Sequence, residues 1–178
     1  MTTITKTETV SPSIYVSCLA AYNSGVLHGR WVDLTNGEDA TATDIREMLA
    51  TSPVADAEEY AIHDFEGFGS YKVSEWSDVA TLVAIAEAVD EHGPFITEYL
   101  ADVHDDLADA IAAVDEVSSA DSFRDFSDDF VDSCLLIDDP ASTVARYFDY
   151  ESFARDLQHD YTVLDDPDGG VFVLSNCR

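Results

Sequence analysis

The stretch from Ala101 to Asp139 constrains the fold of this chain more than any other. It carries thirteen carboxylates: Asp102, Asp105, Asp106, Asp109, Asp115, Glu116, Asp121, Asp125, Asp128, Asp129, Asp132, Asp138 and Asp139. Arg124 is its one fixed positive charge. A block so charged is ordinarily a solvated tail. Here, however, Leu100, Val103, Leu107, Ala110, Ile111, Val114 and Val117 recur at the i, i+3, i+4, i+7 spacing of one buried helical stripe. Asp102, Asp105, Asp106 and Asp109 keep the same period on the opposite face. A second pattern puts Phe123, Phe126, Phe130 and Val131 inside and Asp125, Asp128, Asp129 and Asp132 outside. Like charges at i, i+4 cost a helix a few tenths of a kcal/mol per pair. A chain selected for folding alone would intersperse Lys and Arg there. The pattern reads as a surface built to be negative on a rigid helical scaffold, with Asp102, Asp105, Asp106, Asp109, Asp115, Glu116, Asp121, Asp125, Asp128, Asp129 and Asp132 as its acids.

The whole chain shares the bias. Its net charge is −29, from 37 acidic and 8 basic residues, and its lysines are Lys6 and Lys72. That balance excludes ordinary nucleic-acid binding, which needs cations to neutralise phosphates, and it disfavours anionic membranes. Suitable partners are basic surfaces, including those that normally hold DNA. With 46% hydrophobic and 11% aromatic residues in 178, the chain can fill one ordinary domain or two or three small ones. No run approaches the roughly 18 apolar residues of a membrane span, and residues 1 to 12 lack the apolar core of a secretory leader. The expectation is a soluble, cytoplasmic protein.

Taken in order, residues 1–12 read as a frayed, disordered tail. Residues 13–70 read as an N-terminal α+β domain with an antiparallel sheet. Its strands are Ser13–Ala21, Val26–Leu34 and Glu58–Asp64, with a turn at Tyr22–Gly25 and a short helix capped by Thr43. Residues 71–117 read as a helical middle domain after the Gly67/Gly69 boundary. Its first helix starts at Ser74 and closes at Gly93-Pro94, and two more pieces, Phe95–Val103 and Asp106–Glu116, break near His104. Residues 118–178 read as a C-terminal α+β domain. It has a Phe-rich helix ending near Cys134, one or two helices over Val144–Leu157 with Tyr147, Phe148, Tyr150, Phe153 and Leu157 inside, and a hairpin across Asp165–Gly170.

No motif supports catalysis. Asp165-Asp166-Pro167-Asp168-Gly169-Gly170 suggests a calcium loop, but it lacks the alternating acids and the Glu at the twelfth place, so it reads as a turn. The histidines show no zinc spacing. Cys18, Cys134 and Cys177 form no CxxC pair, so neither a metal site nor a disulfide framework is indicated. His63-Asp64 could pair as a base and its orienting carboxylate, although a histidine at the end of a half-buried strand is more often structural. Nucleophile elbows and phosphate loops are absent. Neither catalytic residues nor cofactors are expected.

Two readings of the acidity remain after this. A halophilic cytoplasm also selects Asp and Glu over Lys, for solubility. Acidic chaperones for basic proteins carry similar charge, though usually in disordered blocks. Against these, the density suits a mimic of DNA. Duplex DNA presents one charge per about 1.7 Å, so the net charge matches roughly 50 Å of duplex.

Three stretches separate the readings. They are Ile14–Asn23 with Gly25–Trp31 (IYVSCLAAYN, GVLHGRW), Ala57–Glu66 (AEEYAIHDFE) and Tyr147–Leu157 (YFDYESFARDL). In this order they resemble the ArdA family of antirestriction proteins, with similarity from about residue 13 to 176. The resemblance implies an elongated, three-domain DNA mimic, dimeric through its C-terminal domain. Such a protein occupies the DNA-binding groove of type I restriction-modification enzymes and inhibits them competitively, without binding nucleic acid or membrane itself. It implies no catalytic residues. Tyr60, His63, Tyr150, Phe153 and Arg155, in the matching motifs, are then expected to determine the fold, with Arg155 paired to a nearby carboxylate.

Overall fold

A computed structural model describes residues 10–103, 106–134 and 142–176. The chain is mixed α+β, and its internal contacts gather into two compact units that divide between Leu107 and Ala108.

The first unit is built on β1 (Ser13–Cys18), which alternates Ile14, Val16 and Cys18 into a fully buried face. It continues without a break into α1 (Leu19–Asn23). Next come β2 (Gly29–Asp33), a 3-10 turn at Leu34–Asn36, α2 (Glu38–Ala50) and β3 (Tyr60–Glu66). The sheet is antiparallel in the order β2-β1-β3, with Ile14 opposite both Val32 and Phe65 and a bulge between Tyr15 and Val16. Then α3 (Val79–His92) packs on the 3-10 turn and on α4 (Phe95–Asp102). From these helices Leu82, Ile85, Ile96 and Tyr99 fill the core, each exposed by no more than 2%.

Several local expectations are corrected here. The expected strand to Ala21 stops at Cys18, where α1 begins; Cys18 N–H to His28 O (2.9 Å) and Leu19 N–H to Glu59 O (3.0 Å) are its last bonds to the neighbouring chain segments on either side. Thr43 does not cap α2. The cap lies six residues earlier, at Gly37 with φ +88°, and Glu38 and Asp39 stand in the positive first turn; the Thr43 hydroxyl donates instead to Asp39 O. Nor does a helix start at Ser74. Asp78 caps α3, accepting from Thr81 Oγ1 (2.8 Å) and N (3.0 Å). Those bonds, the hydroxyl's first, hold its carboxyl below the ordinary range. The expected tail also shortens at its end, since Pro12 is buried and its carbonyl accepts from Leu34 N. Residues 1–9 of that tail lie outside the described residues.

Glu98 is the buried acid of the described chain, 5% exposed. Its Oε1 accepts from Ser70 N at 2.9 Å and so ties the Gly67–Tyr71 loop to α4. Gly69, at φ +49°, is needed there, because a Cβ would collide with that carboxylate.

The second unit holds α5 (Leu107–Ala113, its first residue apart), β4 (Ser118–Ala120), α6 (Phe123–Ser133), α7 (Thr143–Tyr147), α8 (Tyr150–Leu157), β5 (Tyr161–Asp165) and β6 (Val171–Ser175). Its antiparallel sheet runs β4-β6-β5. The strand β4, ahead of the Phe-rich helix, is not foreseen in the sequence; it sets Ser119 opposite Phe172. The hairpin is closed by Asp166 N to Gly170 O (3.1 Å) and Gly169 N to Asp166 O (2.9 Å). The single expected stripe from Leu100 to Val117 is divided between α4 and α5, and Ile111 within it is 40% exposed. Tyr147, expected inside, is 80% exposed at the end of α7. The expected break at His104 falls on a residue outside the described ones.

Candidate acidic interface

Helix α6 is the clearest part of the site. Ser122 is its N-cap: its hydroxyl accepts from Asp125 N (3.2 Å) and donates to the Asp125 carboxylate. One face is set in aromatic rings. Phe126 lies edge-on to Tyr161 at 5.1 Å, Phe130 stacks on Phe153 at 6.4 Å, and Phe153 leans on Phe148 at 5.4 Å. Ser127 and Val131 are buried on the same side. With that face fixed, the helical period turns Asp125, Asp129 and Asp132 outward, where they are exposed. Neighbours three or four positions apart rise about 5–6 Å along the axis.

Asp128 differs from the expectation of a free surface acid. It is half-buried, and both its oxygens accept from Arg124 Nε at 2.9 and 3.0 Å. The Arg124 guanidinium also lies 6.0 Å from the Tyr150 ring centre. Arg124 sits on α6 one position beside Asp125 and four before Asp128, so the helical i, i+4 reach selects Asp128. Among the described acids of the stretch, Asp128 is the one that pairs with this cation.

The other expected acids distribute as follows. Asp102 ends α4 and is exposed; Asp106, Asp109, Asp115 and Glu116 are exposed on and around α5; Asp121 is exposed between β4 and α6. Asp105, with Asp138 and Asp139, lies outside the described residues.

The first unit is also acidic on its surface, which the focus on residues 101–139 passes over. Asp33, Glu38, Asp39, Glu47, Glu58, Glu59, Asp64, Glu66, Glu87, Asp90 and Glu91 are all exposed. Their signal in sequence is weak because they are scattered between strands and helices rather than massed in one run. Arg30 offsets part of this charge, with Asp44 at 3.2 Å and Glu47 at 3.6 Å.

The motif residues fall into two groups. Tyr60, Tyr150 and Phe153 are half-buried, Tyr150 and Phe153 each against Phe148. His63 is exposed, its ring edge-on to Tyr22 at 4.9 Å, while the Asp64 carboxylate accepts from Phe65 N. The two therefore do not assemble into a base and its orienting acid. Arg155 pairs with Asp156 at 3.3 Å, both largely exposed. Asp149 caps α8 through Ser152 N (2.9 Å) and Ser152 Oγ (2.8 Å), and these bonds, the backbone one first, hold its carboxyl below the ordinary range.

Among the described residues no group of three or more His, Cys, Asp or Glu is placed to hold a metal ion. Cys18 is buried, Cys134 exposed, and both are free thiols. No helix among the described residues is long and apolar enough to cross a membrane.

No curated protein matches the chain. The family model described as antirestriction protein (ArdA) matches residues 14–171. That span takes in β1 at one end and the start of β6 at the other, so both units are covered. The chain belongs to the ArdA family of antirestriction proteins.

Proposed function

We propose that this protein is an acidic mimic of double-stranded DNA that occupies the DNA-binding groove of a type I restriction-modification enzyme and inhibits it competitively. Membership of an antirestriction family supplies the class of target. The one-sided helix α6 carries the mimicry: three carboxylates face water at helical spacing, on a scaffold that aromatic packing prevents from turning. Duplex phosphates recur on a similar scale, and a basic groove would release its counterions to such a surface.

Within this proposal, association is steered by the long-range field and held by many individually weak carboxylate–Lys/Arg contacts. The organisation that suits it is elongated and three-part, 13–70, 71–117 and 118–178. The protein acts in the cytoplasm as a homodimer through the C-terminal part. The exposed Val144 and Tyr147 of α7 favour such an apolar contact.

The test is a competition titration of the purified protein against labelled target DNA on a type I restriction–methylation complex. Displacement close to stoichiometric with the dimer, weakening as salt rises from about 50 to 200 mM, is the expected result. A folded protein that displaces no DNA at any concentration would leave the charge as an aid to solubility.

A further inference from the structure

The first unit carries a small cleft of about 260 Å³, lined by Leu19, Glu58, Glu59, Tyr60 and Trp76. Three independent hydrogen bonds fix its walls. Leu19 N donates to Glu59 O (3.0 Å), Ile62 N donates to Glu75 O (3.1 Å), and Ser77 N donates to Ser74 O (3.1 Å) to close the turn that bears Trp76. Tyr60 is held in the sheet opposite Cys18. Trp76 is nevertheless 68% exposed. A lone exposed apolar side chain needs no explanation, but this one stands in a concavity beside a second aromatic ring and two exposed carboxylates. Neither the Glu58 nor the Glu59 carboxylate makes an ion pair or hydrogen bond with a described residue.

We infer that this cleft is a receptor for one arginine side chain of a basic protein partner. The chemistry of the lining selects the occupant. An indole face attracts a guanidinium through its quadrupole and by stacking. The two carboxylates supply the opposite charge, in the planar geometry that a guanidinium fork matches better than an ammonium does. The volume lies below the roughly 300–1,000 Å³ of drug-sized ligand sites, so it fits a side chain rather than a small molecule. A second copy of this chain is a poor occupant, because Glu58 and Glu59 would meet a surface of like charge. The inference deepens the antirestriction reading and rests on it for where the arginine comes from. It places a geometrically defined anchor within an otherwise diffuse electrostatic interface, as aromatic and arginine residues commonly provide.

Two measurements on the full-length protein test it. In a Trp31→Phe background, where Trp76 is the sole tryptophan, a peptide of seven arginines is titrated at about 0.5 M salt. Screening there confines diffuse charge effects to a few ångströms. A saturable change in tryptophan emission is expected, with affinity reduced about threefold to thirtyfold by Glu58→Gln/Glu59→Gln and left unchanged by Asp165→Asn/Asp168→Asn, two exposed acids of the β5–β6 hairpin. In the displacement titration against the restriction–methylation complex, Trp76→Ala is expected to raise the half-displacing concentration by the same factor.

Displacement by Trp76→Ala at the wild-type concentration overturns the cleft while DNA mimicry stands. If the wild type displaces no DNA, the mimicry reading fails and the peptide titration alone decides. A response that Glu58→Gln/Glu59→Gln weakens then upholds the cleft, and an equal response, or none, overturns it. A change in solution mass on Trp76→Ala, with displacement still at the wild-type concentration per dimer, would assign the face to self-association and also overturn the proposal.

Discussion

Ile14, Val16 and Leu34 in the first unit are wholly shielded from water, whereas Phe123, Phe126, Phe130 and Phe153 in the second are half-buried. The two units use similarly apolar residues with different results. In the first, a central strand with partners on both sides and helices α3 and α4 packed together gives aliphatic side chains neighbours on every side. In the second, α6 gives its outward face to carboxylates, and its rings meet neighbours from one side, Phe126 edge-on to Tyr161 and Phe130 stacked on Phe153. Ser127 and Val131 on that same face of α6 are fully buried, so the difference lies in how the rings pack and not in the whole helix face.

Substitution in the cores tests that contrast most severely. Ile14→Ala should destabilise the protein by about 2–5 kcal/mol, and Phe153→Ala, which loses half-buried area, by about 1–2 kcal/mol, as read by urea denaturation. Equal losses would break the comparison. Next in size is the acid face itself. Replacing Asp125, Asp129 and Asp132 together by Asn should raise the half-displacing concentration in the competition titration by about tenfold or more, with the melting midpoint unchanged or slightly raised. A fall in stability there would mean that the carboxylates serve the fold rather than a partner.

The caps sharpen the comparison because both units use the same device. Asp78 on α3 and Asp149 on α8 each accept two hydrogen bonds that depress their carboxyl below its ordinary range. Their contribution requires the ionised form. It is complete above the unfolded carboxyl value, about 3.9, and is lost as pH falls through the lower folded value. Asp149→Asn should therefore lower the melting midpoint by at most a few degrees at pH 7 and remove part of its decline in acid. An unchanged acid profile would show that the cap bonds do not distinguish the ionised from the neutral carboxyl. The smallest expected effect is that of Asp129→Asn alone, within about twofold in displacement, because the attraction is spread over many charges. Abolition by that single change would refute a distributed surface.

Much of this organisation was legible in the chain. Period-two alternation at Ile14, Val16 and Cys18 marks a strand, and period-3.6 spacing at Phe123, Phe126 and Phe130 against Asp125, Asp129 and Asp132 marks a two-faced helix, because these periods follow directly from backbone geometry. The IYVSCLAAYN, YAIHD and YFDYESFARDL stretches carried the family. Helix starts were less legible. Thr43 and Ser74 have the right chemistry for caps, yet Gly37 and Asp78 hold those positions, since a cap works only where the chain's direction lets its oxygen meet the free N–H groups. The strand β4 left almost no signal, because Ser118, Ser119 and Ala120 acquire it from pairing with β6.

Charge and period by themselves determined that the chain would present acids outward from helices, since both are properties of residue order alone. Which acid keeps its charge free was decided in three dimensions: Asp128 is neutralised by Arg124, while Asp125 and Asp129 on the same helix remain exposed. The cleft of Leu19, Glu58, Glu59, Tyr60 and Trp76 was likewise decided by the tertiary structure. Its residues are spread over some 60 positions of sequence, and the pairing of β1 with β3, with the hydrogen bonds from Leu19 to Glu59 and from Ile62 to Glu75, brings them to one place.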